Sequence, residues 1–185
     1  MKEFDIVVLA AGNSSRMGRS KTEIVIDGKA IIEHTILQAY ELCRNVIVVG
    51  GKFYKTQKEI LKPYKKVNFV YNPNFSKGMF SSVKAGIREV SSECFFLIPG
   101  DIPFVRKETY LKLQEINGEI IIPTFKNRKG HPVFFSSDLV SEIERENTES
   151  NLRDFIKKKA PLLIDVDDEY ILKDIDIPKD LENIK

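Results

Sequence analysis

The stretch Asp5-Ile6-Val7-Val8-Leu9-Ala10 runs directly into Ala11-Gly12-Asn13-Ser14-Ser15-Arg16-Met17-Gly18-Arg19-Ser20-Lys21. The first half is a continuous apolar run rich in β-branched residues, the pattern of a strand buried on both faces. The second half is a loop of small residues, whose backbone N–H groups can come close to phosphate oxygens. Arg16, Arg19 and Lys21 add three positive charges and no acid offsets them, so the loop suits a polyanion. It is not a Walker loop: five residues separate Gly12 from Gly18, and no Lys-Ser/Thr pair directly follows the second glycine. Nor is it a GxGxxG turn.

Outward from this stretch, strand-like and helix-like segments alternate. Helices are predicted over 30–43 (Ile32, Ile36, Ala39 and Cys43 on one face), 52–61, 79–90 (Met79, Val83, Ile87 and Val90 in a stripe) and 107–116. Strands are predicted over 45–49, 67–71, 94–98 and 119–122. Residues 123–135 read as a hairpin turning at 127–130. Helices over 138–145 and 152–159, a strand over 162–166 and a terminal helix over 178–184 follow. The alternation predicts an α/β fold: a single Rossmann-like domain over residues 1–185, with a mostly parallel sheet and helices on both faces. Such sheets bind ligands at the carboxyl ends of their strands.

Composition narrows the function. A chain of 185 residues with 42% hydrophobic and 30% charged residues can bury a core without staples. No apolar run approaches the roughly 20 residues of a membrane span. The acidic start Met1-Lys2-Glu3-Phe4-Asp5 does not resemble a signal peptide. A net charge of +2 gives no drive toward nucleic acid or anionic membrane. The lysines of 52–66, at spacings of three and four, read as a solvated helix face beside buried Phe53, Ile60 and Leu61, with no stacking platform. Lys157-Lys158-Lys159 reads the same way. Cys43 and Cys94 lack CxxC partners and read as core thiols of a reduced, cytoplasmic protein.

The string LAAGNSSRMGRSK resembles the signature of MobA-like nucleotidyltransferases, and within them the molybdenum cofactor cytidylyltransferase-like group. Three further stretches carry the resemblance: Asn72 to Gly86 (NPNFSKGMFSSVKAG), Pro99 to Phe104 (PGDIPF) with Gly130-His131-Pro132, and Asp174 to Leu181 (DIDIPKDL). The resemblance implies a nucleotide-diphospho-sugar transferase-like fold. It also implies Mg²⁺-dependent transfer of a nucleotidyl group from an NTP to a phosphorylated acceptor such as molybdopterin, with a client molybdoenzyme as a further partner. By the same resemblance Arg16 and Lys21 hold the triphosphate, and the backbone of Leu9, Ala10, Ala11 and Gly12 borders the base.

Asp101 follows an apolar strand directly, where a carboxylate is placed to hold Mg²⁺; its ordinary reading is a turn aspartate. Asp176, just before Pro178, reads either as a helix cap or, by the resemblance, as a second Mg²⁺ contact. Ile177 stands where the family has Thr. Cytidylyl-type members resemble LAAG with GMSSS, guanylyl-type members LAGG with GPLAG. Ala11 and Ser81-Ser82 therefore side with CTP over GTP, although Phe80 replaces the first serine. Ser81 and Ser82 read as base-edge contacts, and Asn72 and Gly78 as shaping the same pocket. His131 reads as an acceptor contact or as a structural histidine. No Ser-His-Asp or Cys-His set points to a covalent intermediate. A sugar or alcohol phosphate acceptor, and a non-catalytic accessory role, stay open.

Overall fold

The structure, a computed structural model, describes residues 2–12, 20–147 and 150–175. Its strands and helices follow in chain order as β1 (Phe4–Ala10), β2 (Val25–Ile26), β3 (Lys29–Ala30), α1 (Ile31–Leu37), β4 (Val46–Gly50), α2 (Tyr54–Leu61), β5 (Val67–Tyr71) and α3 (Met79–Ile87). Then come β6 (Cys94–Pro99), α4 (Lys107–Glu115), β7 (Ile120–Phe125), β8 (Arg128–Lys129), β9 (Val133–Ser136), α5 (Val140–Arg145), α6 (Leu152–Lys158) and β10 (Leu162–Asp165). Short 3-10 turns cover Lys21–Glu23, Phe75–Lys77, Ser137–Leu139 and Glu169–Leu172.

One mixed, mostly parallel sheet carries the fold, in the order β10-β7-β9-β6-β1-β4-β5, with β8 paired to β7. β1 lies parallel to both β4 and β6, and β4 parallel to β5. β9 runs antiparallel to β6 and β7, and the short β8 antiparallel to β7. β1 shows why a continuous apolar run was needed. Its side chains alternate between two cores, as strand geometry requires. Phe4, Ile6, Val8 and Ala10 join Ile32 and Ile36 of α1, Leu61 of α2, and Tyr110 and Leu113 of α4. Val7 joins Ile47 and Val49 of β4, Val83 and Ile87 of α3, Ile143 of α5 and Phe155 of α6. Helices thus cover both faces.

Four expectations change. The first helix ends at Leu37, and residues 38–42 continue as turns. The carbonyls of Tyr40 and Cys43 accept from the Lys66 ammonium at 2.7 and 3.0 Å instead of from later helical N–H groups. Met79 does not belong to the core stripe of α3. It is 67% exposed, and Phe80 packs inward in its place. The turn near residue 127 is tighter than predicted: Lys126 and Asn127 take φ of 50° and 62° between β7 and β8. That is the pattern of a two-residue hairpin turn. A second small hairpin, β2–β3, turns on Asp27-Gly28. The strand predicted over 119–122 extends to Phe125. The terminal helix expected over 178–184 lies outside the described residues.

Candidate active site

The chain runs outward from β1 to β4 and β5, then returns to place β6 on the other side of β1. At such a reversal the loops after adjacent strands part and leave a crevice at the strands' carboxyl ends. Here the two loops are those after β1 and β6. Leu9 lies opposite Pro99 in the register, and Gly100 N–H donates to the Leu9 carbonyl at 2.9 Å. A cleft of about 350 Å³ opens there, lined by Leu9, Ala10, Ala11 and Gly12 from the end of β1 and by Lys21 with its neighbours Ser20 and Thr22. Pro99 and Asp101 close one side, and Phe75, Ser76, Gly78, Met79 and Ser82 the other.

Asp101 is fixed through its backbone. Its carbonyl accepts from Ile175 N–H at 3.0 Å, and the preceding Gly100 carbonyl accepts from the buried Thr35 hydroxyl at 3.0 Å. Opposite, buried Asn72 reaches the start of α3, its Nδ2 donating to Ser81 Oγ at 2.9 Å and to Ser82 Oγ at 3.0 Å. The Ser81 hydroxyl lies 2.8 Å from the carbonyls of both Asn74 and Gly78. It is committed to the turn that starts α3, whereas Ser82 lines the cleft.

Residues 6–162 match the MobA-like NTP transferase domain. The chain belongs to this family. The MobA-like chain is 29% identical over 187 residues to the molybdenum cofactor cytidylyltransferase of Escherichia coli K12, covering 100% of this chain and 97% of that one. It is 30% identical over 196 residues to a probable molybdenum cofactor guanylyltransferase of Thermococcus sibiricus, covering 97% and 96%. The solved structure of Rv0371c from Mycobacterium tuberculosis H37Rv superposes with a TM-score of 0.82 at 20% identity, over 98% of this chain and 97% of that one. The fold is that of the nucleotide-diphospho-sugar transferases, and the sequence relatives make this a MobA-like nucleotidyltransferase.

Of the residues singled out from sequence, Leu9, Ala10, Ala11, Gly12, Lys21, Gly78, Ser82 and Asp101 meet at the cleft of this MobA-like domain. Asn72 and Ser81 stand behind it. Arg16 and Asp176 lie outside the described residues. His131 is not part of the lining. It precedes β9, its N–H donates to the Ile171 carbonyl at 2.9 Å, and its buried Nδ1 has no hydrogen-bond partner among the described residues. Burial lowers its pKa to about 4, against smaller opposing effects of the Leu97 carbonyl and Asp174. It is neutral near pH 7 and carries no charge toward an anion.

Sequence reasoning missed Ser20, Thr22, Phe75, Ser76, Met79 and Pro99 as lining residues. Four of them sit in a loop or in short 3-10 turns, which have no periodicity to read. As for a cation, no group of three or more His, Cys, Asp or Glu among the described residues is clustered to hold one. Mg²⁺ does not ask for such a cage: it retains waters and takes one or two carboxylates plus phosphate oxygens. The Asp101 carboxylate, a hard oxygen donor in the nucleotide-sized cleft, fits that requirement.

Proposed function

We propose that this MobA-like chain transfers a CMP group, in preference to GMP, from an NTP to a phosphorylated acceptor, molybdopterin or the molybdenum cofactor, with release of pyrophosphate. One arrangement carries this reading. Lys21 and Asp101, far apart in sequence, line the same cleft as the Ala11–Gly12 backbone and Ser82. The relatives named as molybdenum cofactor cytidylyl- and guanylyltransferases support the acceptor class. Ala11 supports cytosine, because its methyl takes up space that glycine would leave for a purine.

A phosphate oxygen of the acceptor attacks the α-phosphorus. A new P–O bond forms, the bond to the β-bridging oxygen breaks, and pyrophosphate departs with that electron pair. The attacking oxygen is already ionised near pH 7, so no general base is required. Positioning and charge neutralisation carry the catalysis. Lys21, with Arg16, neutralises the triphosphate. The Leu9–Gly12 backbone and Ser82 orient the base, with Asn72 holding Ser81 and Ser82 in place. Asp101, with Asp176, would hold Mg²⁺, which supplies Lewis-acid stabilisation of phosphate charge. His131 stays an acceptor-side candidate, as a neutral group. The proposal includes a cytoplasmic location, supported by two buried free thiols, and delivery of the product to a client molybdoenzyme. No helix among the described residues is long and apolar enough to cross a membrane.

The test is pyrophosphate release from a panel of NTPs with purified molybdopterin, molybdenum cofactor and simple phosphorylated alcohols. CTP with a molybdopterin-type acceptor is expected to be fastest. Lys21→Ala and Asp101→Ala are each expected to lose about 100-fold or more in turnover with unchanged circular dichroism. Undiminished pyrophosphate release by Asp101→Ala would remove that residue from the mechanism.

A further inference from the structure

Gln57 occupies a place on α2 that packing alone would give to an aliphatic side chain. It stands one helical turn from Phe53 and one from Leu61, on the side of α2 that faces the sheet, and it is 0% exposed. Its Nε2 donates to the Ala10 carbonyl at 3.0 Å and to Thr22 Oγ1 at 2.9 Å, with Ser20 Oγ at 3.4 Å. The Ser20 and Thr22 hydroxyls are themselves 2.7 Å apart, and both side chains are buried. Among the described residues the Gln57 Oε1 has no partner, so with respect to them the amide carries an uncompensated desolvation cost. A side chain kept only to fill space would avoid that cost. The donor end of the amide is the part the structure uses.

All three acceptors of Gln57 belong to residues that line the cleft. Ala10 ends β1, and Ser20 and Thr22 flank Lys21. With both neighbours of Lys21 tied inward to one amide, the lysine backbone is held at a fixed distance from the end of β1. We infer that Gln57 is a positioning residue for nucleotide binding, setting Lys21 against the triphosphate through Ser20, Thr22 and the Ala10 carbonyl. The inference rests on the reading of Lys21 as a triphosphate contact.

The test measures CTP and GTP affinity, each with Mg²⁺, by calorimetry. The variants are Gln57→Leu, Thr22→Val, Thr22→Ser, Lys21→Ala and the double variant Gln57→Leu/Lys21→Ala. Asp5→Asn, at the opposite end of β1, serves as a destabilised control with native affinity. Loss of one such buried contact corresponds to about a tenfold change in affinity. Gln57→Leu is therefore expected to weaken CTP and GTP alike by about tenfold, and Thr22→Val by severalfold. Thr22→Ser, which keeps the hydroxyl, stays within about twofold of wild type. In the Lys21→Ala background Gln57→Leu adds nothing, because the lysine it positions is gone. Independent, multiplying losses from Gln57→Leu and Lys21→Ala, or equal weakening by Asp5→Asn, would overturn the inference. If Gln57→Leu does not fold, the Thr22 pair decides alone, and equal affinities of Thr22→Val and Thr22→Ser would overturn it. Native affinity in Lys21→Ala strikes the functional reading itself, and this inference with it. Loss in Lys21→Ala beside native affinity in folded Gln57→Leu strikes only the inference.

Discussion

Asp5 sits at the amino end of β1, away from the cleft, and is fully buried as a carboxylate without an ion pair among the described residues. Donors replace the missing cation. Oδ1 accepts from Asn45 N–H at 3.1 Å, Asn45 Nδ2 at 2.9 Å and the Ser92 hydroxyl at 3.0 Å. Oδ2 accepts from Ser91 N–H at 2.8 Å and Ser92 N–H at 3.0 Å. One side chain thus ties β1 to the segments entering β4 and β6. Asp5→Asn would set an NH₂ against these donors, and denaturant unfolding is expected to show a loss on the order of 3 kcal/mol. His131 makes the opposite kind of commitment, since burial holds its ring neutral to about pH 4 against an ordinary value of 6.5. Between these values the unfolded chain binds a proton that the folded chain refuses, so stability falls as pH drops from about 6.5 to 4. The loss reaches roughly 3 kcal/mol at most. Unfolding of His131→Gln at pH 4.5 and at pH 7 is expected to show a smaller difference than wild type. Equal slopes would mean that the ring is solvated.

At the scale of the element, α3 shows how the site depends on the core. A Cβ built on Gly86 would lie 2.5 Å from Val7 Cγ1 and 2.7 Å from Val49 Cγ2. Only glycine lets the helix sit this close to β1 and β4, which in turn brings Ser82 and Gly78 to the cleft. Gly86→Ala is therefore expected to destabilise by about 1–3 kcal/mol, despite alanine's better helix propensity, and to weaken nucleotide binding. A gain in melting temperature would show that α3 has room to move. The same helix marks what the sequence displays at this scale. Val83 and Ile87 were legible as core because their spacing repeats over turns. Met79 was not, since a residue in the first turn can continue the buried stripe or overhang the strand ends, and periodicity is the same for both. The antiparallel course of β9 against β7 was legible, because a hairpin over 123–135 brings its second arm back along the first, whereas the place of Val133-Phe134-Phe135 beside β6 was not, since an apolar run fits a buried strand with any neighbour. Gln57 escaped notice because a glutamine among Lys55, Thr56, Lys58 and Glu59 reads as part of a wet helix face until its partners are known.

For the molecule as a whole, the run Ile6–Ala10 was enough to place a buried strand, because only a strand covered on both faces needs apolar residues at every position. The cleft followed from Gly12 and Lys21 in the next segment and Asp101 after another apolar strand. Its walls at Phe75 and Pro99 came only from the fold. β1 also joins the two cores, so they should unfold together, and the cysteines can test this. Cys43 and Cys94 lie in the same core as Phe4, one just before β4 and the other opening β6 beside β1. Burial raises their thiols to about 12 and about 11, so neither offers an appreciable thiolate while folded. A thiol reagent must wait for the chain to open, and in the fast-closing limit the labelling rate reports the free energy of that opening. If the sheet opens as one unit, both cysteines label with the same free energy and the same dependence on urea, matching global unfolding. Residues 38–42 are turns, however, held to the rest partly by Lys66, so Cys43 is where a smaller opening would show. Labelling of Cys43 well ahead of Cys94, with weak urea dependence, would mean that the segment between α1 and β4 opens alone. Mass spectrometry of the two cysteine peptides along a urea series distinguishes the cases, and equal slopes are the expected result.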